Sequence, residues 1–399
     1  MTGLTRRNFI GSVVAATAIT ARSGAQAQVV PSALLQPGMR IIWLGAASSM
    51  PGERQQLEPD PNGGWINKAT GQHYHEFETP GPAGAGYSVM DVLSADPNGF
   101  LINFSHFLIH TESGNATTFL TADALPSGPE AIGDFWTSPA RLAGMTDISY
   151  GGARILHMPY PLNGHSYRAV RLQNQNGDGW SQTTYDVDSG LLLVSSSTAQ
   201  GSPVLIRDPN NQLTTGAGST MMTYGQFISA RHTNLPGPGS TYPDAIRKVR
   251  AITYSGTRGI VMSGTDMQVP PSQAQVRYDI SANAGPYLNA RMSVSGVYGA
   301  PGSAEDRIVP AGTVGSLWMN PNTLIGYRQG ELLDQDPVTG VQITVYGRQG
   351  NLIFIIAQTS LARQSFGYDL RSGLLAFADL RQQVGPATDI LTVQLEGTQ

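Results

Sequence analysis

The sequence predicts a mainly β protein, a tandem duplication of an antiparallel curved-sheet domain (half-barrel or sandwich-like) with one short helix per copy. Three observations predict it. Two short patterns occur twice in the same order. Strand-like runs alternate with turn signals at intervals of about ten residues. No amphipathic helical pattern lasts beyond about three turns, which argues against a wound α/β fold.

The first repeated pattern is Trp136-Thr-Ser-Pro139-Ala-Arg-Leu142, which returns as Trp318-Met-Asn-Pro321-Asn-Thr-Leu324. Apolar residues three apart suit one helical turn, and proline is tolerated in such a first turn. One short helix per copy, over a sheet edge or mouth, is therefore expected. The second pattern is Tyr185-Asp186-Val-Asp-Ser189-Gly190-Leu191-Leu192, which returns as Tyr368-Asp369-Leu-Arg-Ser372-Gly373-Leu374-Leu375. It reads as strand, turn, strand: the aspartate caps the turn and the glycine supplies a positive φ. A third, fainter match sets Leu93-Ser-Ala-Asp96 against Ile280-Ser-Ala-Asn283. The clearest strands are expected over 39–44, 99–109, 166–172 and 221–230 in copy one. In copy two they are expected over 249–254, 277–282, 341–346, 352–357 and 390–395.

The N-terminus carries Thr5-Arg6-Arg7-Asn8-Phe9-Ile10, a short apolar stretch, Arg22, and then Ala25-Gln26-Ala27. This resembles a twin-arginine export signal with a small-x-small cleavage site. The resemblance implies a periplasmic or secreted protein whose mature chain starts at Gln28. The expected organisation is a signal over 1–27, copy one over 28–233, a Pro/Gly linker over 234–243 and copy two over 244–399. No apolar run after Gln28 has membrane length.

Composition narrows the function classes. The chain has 24 basic and 28 acidic residues and no cysteine. Few lysines and a mildly acidic balance leave no electrostatic footprint for nucleic acid. The absence of cysteine excludes disulfides and thiolate metal sites. There is no nucleophile elbow, zinc-protease helix, phosphate loop or dinucleotide fingerprint, and no catalytic residue is identified.

The histidines are uneven. His73, His75, His106, His110, His157, His165 and His232 all fall in copy one, leaving copy two as an internal control without any. His73 and His75 are spaced to share one face of a strand, a good geometry for a divalent metal. His106 and His110 share a face at i, i+4 in an unbroken strand or a helix. Together the four are the candidate metal ligands, with Glu76 or Glu78 as a base. Asn174-Gln-Asn176-Gly-Asp178-Gly179 imitates the start of a calcium loop, yet Tyr185 stands where the closing glutamate belongs, so a polar hairpin turn is the better reading.

The Tyr-Asp-x-x-Ser-Gly-Leu-Leu hairpin resembles that of periplasmic lipoprotein-carrier-type proteins, whose curved antiparallel sheet has short helices plugging its apolar face. That resemblance implies binding of a lipid-like or other apolar ligand, with no chemistry. The leading expectation is an exported soluble binding protein that holds an apolar or amphiphilic small ligand in the first β domain, near Trp65, His106, His110 and Trp136. The alternative is a metal-dependent periplasmic enzyme with its histidine site in copy one. A structural envelope protein without a pocket is the third.

Overall fold

The computed structural model describes residues 34–50, 54–56, 58–59, 61, 65–67, 71–74, 84–111, 124–176, 179–200, 204–207, 213–216, 220–262, 268–295, 303–359, 362–384 and 387–398. The twin-arginine segment lies outside them.

Among the described residues two ten-stranded antiparallel sheets dominate, with one two-stranded and two three-stranded sheets beside them. The first comprises β1 (Met39–Met50), β2 (Gly84–Asp96), β3 (Gly99–Thr111), β4 (Ala124–Ser127) and β5 (Ile148–Tyr150). It continues through β6 (Ala153–Leu162), β7 (His165–Asn176), β8 (Gly179–Asp186), β9 (Leu192–Gln200) and β10 (Thr220–His232). The second comprises β11 (Ala251–Met262), β12 (Gln268–Asn283), β13 (Tyr287–Ser295), β14 (Ser303–Pro310) and β15 (Leu332–Gln335). It ends with β16 (Gln342–Gln349), β17 (Leu352–Gln358), β18 (Ala362–Asp369), β19 (Leu375–Val384) and β20 (Ala387–Thr398). Among the described residues three short helices accompany them: α1 (Pro139–Ala143), α2 (Asp244–Arg247) and α3 (Pro321–Gly326).

The order in the first sheet is β4-β3-β2-β1-β10-β9-β8-β7-β6-β5, and in the second β14-β13-β12-β11-β20-β19-β18-β17-β16-β15. Each strand of copy two thus occupies the place of the strand ten before it, which is the duplication in structural form. Within a copy every neighbour is also a sequence neighbour, except that the first strand pairs with the last. The free edges are therefore the fourth and fifth strands, and the chain between them carries the repeated tryptophan and its helical turn.

That segment locks onto the repeated turn. Asp186 accepts from the Ser189 amide at 3.0 Å, and Asp369 accepts from Ser372 at 2.7 Å. The turn then presents its serine carbonyl to the indole: Trp136 Nε1 donates to Ser189 at 2.8 Å and Trp318 Nε1 to Ser372 at 2.9 Å. The next amide, Thr137 or Met319, donates to the carbonyl of Gly190 or Gly373 at 3.0 and 2.9 Å. The repeated tyrosines close the set, with Tyr185 donating to Asp134 O at 2.9 Å and Tyr368 to Ser316 O at 3.2 Å. Both indoles are buried, and Leu142 and Leu324 from the helical turns are fully so. Ser138 and Asn320 cap those turns, as short polar N-caps do.

In copy one the sheet face carrying Ile41, Trp43, Met90 and Ile102 packs on Trp136 and is the inner face. The core of copy two does not stop at its own sheet but runs on into Ile42 and Val89, on the outer face of β1 and β2. Beside these, Arg40 and Arg231 are register partners and both reach into copy two. Arg40 bonds Asp91 at 2.7 Å and Asp334 at 3.0 Å, while Arg231 bonds Asp334 at 2.8 Å and Asp336 at 2.9 Å. Burial works against the charge of Arg40, but the three carboxylates more than offset it and hold the guanidinium above its ordinary value. Burial likewise pushes Asp336 up. The Thr339 amide, Arg231, Arg40 and the Val338 amide overcome this and hold its carboxyl below the usual range. The segment joining the copies is tied to both: Gly239 N donates to Leu93 O at 2.9 Å, and Tyr242 donates to Pro310 O at 3.0 Å.

Two stability predictions follow from these contacts. A Cβ at Gly373 (φ +75°) would meet Met319 O at 2.0 Å, whereas one at Gly350 (φ +59°) meets nothing within 4 Å. Gly350→Ala should cost only the ~1–2 kcal/mol of left-handed strain, and Gly373→Ala clearly more, read as urea unfolding free energy; equal losses would refute the clamp. Asp336→Asn should cost about 1.5–3 kcal/mol, because Arg40 and Arg231 each lose a charge-assisted bond while keeping Asp91 and Asp334. Since the folded pKa of Asp336 is depressed, its contribution is complete above the ordinary carboxylate value and is lost as pH falls through the folded one. The wild type should therefore lose stability more steeply on acidification than the variant, and parallel pH profiles would contradict this.

Candidate functional site

The residues singled out from the sequence do not converge on one described centre. Trp65 and His73 lie on short paired strands of the copy-one insertion, where Trp65 faces Tyr74 and Ile66 faces His73 in register. His75 lies outside the described residues, as do the side chains of Trp65, His73, His106 and His110. One geometric expectation is corrected. His106 pairs with Ser88 and His110 with Ala85, with a bulge between. One extra residue in β3 therefore puts the two positions on opposite parity across β2, where an unbroken strand would have put them on one face. Trp136 is fully buried, with its N–H donated within the clamp.

The remaining histidines are peripheral. His157 Nδ1 is 2.6 Å from Asp147 in an exposed pair, and His165 stands edge-on to Tyr167. Among the described residues no three His, Cys, Asp or Glu side chains gather to hold a metal. The stretch 174–179 joins β7 to β8 with Asn176 opposite Gly179, a hairpin register.

Comparing the two copies strand by strand locates a different place. In copy two, Gly367 of β18 pairs with Phe354 on one side and Phe377 on the other. The two rings stand edge-on with centroids 5.8 Å apart, and a Cβ on Gly367 would lie 2.9 Å from Phe354. The outer face is closed there by aromatic packing. In copy one the same row reads Arg171, Thr184, Val194. Thr184 is fully buried, and neither its Oγ1 nor Arg171 Nε has a hydrogen-bond partner. An orphaned buried polar group costs about 1–3 kcal/mol, more when charged, so two on adjacent strands call for an explanation.

Copy one also carries extra chain over this row. The β16–β17 hairpin stops at Gln349 opposite Leu352, but the β6–β7 hairpin runs on through Pro159 opposite Arg168 to Leu162 opposite His165. Asn163 (φ 50°) and Gly164 (φ 78°) turn it, the Asn-Gly pair that a two-residue hairpin favours. At its tip Asn163 Nδ2 donates to Phe227 O of β10 at 3.2 Å. In a flat sheet β7 and β10 stand roughly 14 Å apart, so the sheet curls until the hairpin reaches across. Tyr160 of the extension comes over Arg171, the guanidinium carbon 5.8 Å from the ring centre. Tyr224 of β10 stands on the same face by register. Burial raises its phenol above the ordinary value, with nearby Tyr160 adding to the effect. The extension thus covers this row, leaving Ala169, Thr184 and Val194 buried beside Arg171 and Tyr160, with Tyr224 on the same face.

A separate cavity of about 50 Å³ sits between the copies beside Arg40, Asp91, Asn103 and Thr313. It has room for a few waters and is far below the ~300 Å³ of a small-molecule pocket.

The row is not legible in the sequence because Arg171 reads as an ordinary solvent-facing strand residue. The usable signals were Asn163-Gly164 between alternating residues and the alignment of Arg171 with Phe354. No protein-family model matches the chain, and no curated protein matches it. Among solved structures, the DNA polymerase III subunit beta from Pseudomonas aeruginosa aligns over 91% of this chain and 92% of its own at 10% identity. Its TM-score of 0.08 carries no argument about fold or function.

Proposed function

We propose that the chain is an exported binding protein that holds an apolar or amphiphilic small ligand in its first β domain, beneath the extended β6–β7 hairpin. One observation carries this reading. The row that copy two closes with Phe354 and Phe377 over Gly367 is Arg171, Thr184 and Val194 in copy one, under a hairpin extension that copy two lacks. A duplicated scaffold that fills a place with aromatic rings in one copy, and covers smaller side chains with a longer hairpin in the other, has the form of a frame beside a binding module. The flanking tyrosines suit an amphiphile, since each offers an apolar ring and a polar tip. The twin-arginine-like N-terminus supports a periplasmic or secreted address.

Transplanting the copy-two row tests the reading. The triple variant Arg171→Phe, Thr184→Gly, Val194→Phe should bind the neutral fluorescent probe N-phenyl-1-naphthylamine at least ~10-fold more weakly than wild type, while keeping its melting temperature. Absence of probe binding by wild type, or equal binding by both, would overturn it.

A further inference from the structure

We infer that the outer face of β7–β10, in the rows beyond the one the hairpin covers, is a platform for a neutral oligosaccharide, with Trp180 and Tyr224 as its stacking surfaces. This site is separate from the one proposed beneath the hairpin. It needs no cavity, because its aromatic residues stand in the open.

Register places the residues. Trp180 of β8 faces Thr198 of β9, and Gln182 faces Ser196, which in turn faces Tyr224 of β10. Gln173 of β7 faces Gln182 from the other side. Residues two apart on a strand share a face, so all six lie on the face of Thr184, in the two rows next to it. In a flat sheet, two strands across and two residues along set Trp180 and Tyr224 roughly 12 Å apart, a span that a short oligosaccharide covers. Trp43, Trp136 and Trp318 are buried, whereas Trp180 is 40% and Tyr224 41% exposed. The Tyr224 hydroxyl donates to Gln226 Oε1 at 2.5 Å, two residues along the same strand, which lays the ring along the sheet.

A single exposed apolar residue is ordinary, and here the surroundings decide. Soluble surfaces are about 25–35% charged, yet across β7–β10 neither of these rows holds a charged side chain. Counting from the aligned pair Thr184 and Gly367, copy two has Arg363 in the place of Trp180, Arg381 for Thr198, Asp379 for Ser196 and Thr392 for Tyr224. There Arg381 bonds Asp379 at 2.7 Å. Copy two solvates this face with charge, and copy one carries aromatic rings and amides instead.

That combination matches a neutral sugar, whose rings have apolar C–H faces and a rim of hydroxyls that both donate and accept. Indole and phenol rings take the faces. Gln173 Nε2 donates to Gln182 Oε1 at 2.7 Å, which steadies both amides and leaves an acceptor on the first and a donor on the second. Ser196 and Thr198 add hydroxyls. Arg154, opposite Gln173 on β6, borders the platform, so acidic sugars are the competing class.

The test is calorimetric titration of the mature chain with cellohexaose, N-acetylchitohexaose and hexagalacturonate. At least one neutral hexamer should bind with Kd below ~1 mM. Trp180→Ala and Tyr224→Ala should each weaken that binding ~5-fold or more at unchanged melting temperature, while Tyr224→Phe, which keeps the ring, should stay within ~2-fold of wild type. No binding of either neutral hexamer, or binding untouched by both alanine variants, would overturn the platform. Tighter binding of hexagalacturonate would overturn its neutral character. A dimer in sedimentation that Trp180→Ala dissociates would also overturn it, by making the face a contact between copies of the chain. Trp180→Ala should retain N-phenyl-1-naphthylamine binding, and its loss would overturn the separation of the two sites.

Discussion

Everything in this fold depends on one short hydrogen bond made twice, from an indole N–H to the serine carbonyl of an Asp-x-x-Ser-Gly turn. A ten-stranded meander whose first strand pairs with its last still has two raw edges and one greasy face. Exposed edges invite pairing with other chains, and the greasy face needs a cover. The tryptophan segment answers both needs, because it bridges to the strand after the turn at Leu191 or Leu374 and delivers its helical turn to the inner face. Glycine is required at Gly190 and Gly373, where the backbone of the tryptophan segment occupies the space of a side chain.

The two faces of the first sheet serve different purposes. Its inner face is core. Its outer face is divided: β1 and β2 receive copy two through Ile42, Val89 and the Arg40 and Arg231 pairings, while β7–β9 lie beneath the extended hairpin. The second sheet has no comparable division, because Phe354 and Phe377 seal the matching row.

Much of the fold was legible in the sequence because its signals are local. The tandem repeat, the capped turns, the short proline-led helices and the strands at 39–44, 221–230 and 352–357 each rest on a few adjacent residues, and the structure has them. What was not legible depends on register. The bulge in β3 that separates His106 from His110 has no mark in the spacing. Arg40 meets Asp334 across 294 positions, and nothing near either residue announces the other. Arg171 acquires its meaning only when the pairing of β7 with β8 sets it beside Thr184, and the copy alignment sets it against Phe354.

The pairing of β1 with β10 has a consequence in time. Strand β1 ends the wait for its partner only when β10 exists, about 190 residues later, which at ~5–20 residues per second is roughly 10–40 s of synthesis. Arg40 and Arg231 stand side by side only after that pairing, so the seat for copy two is assembled last within copy one. Copy two follows in the chain, so when it emerges every strand of its neighbour already exists. The guanidinium pair that receives it joins the first strand of copy one to the last.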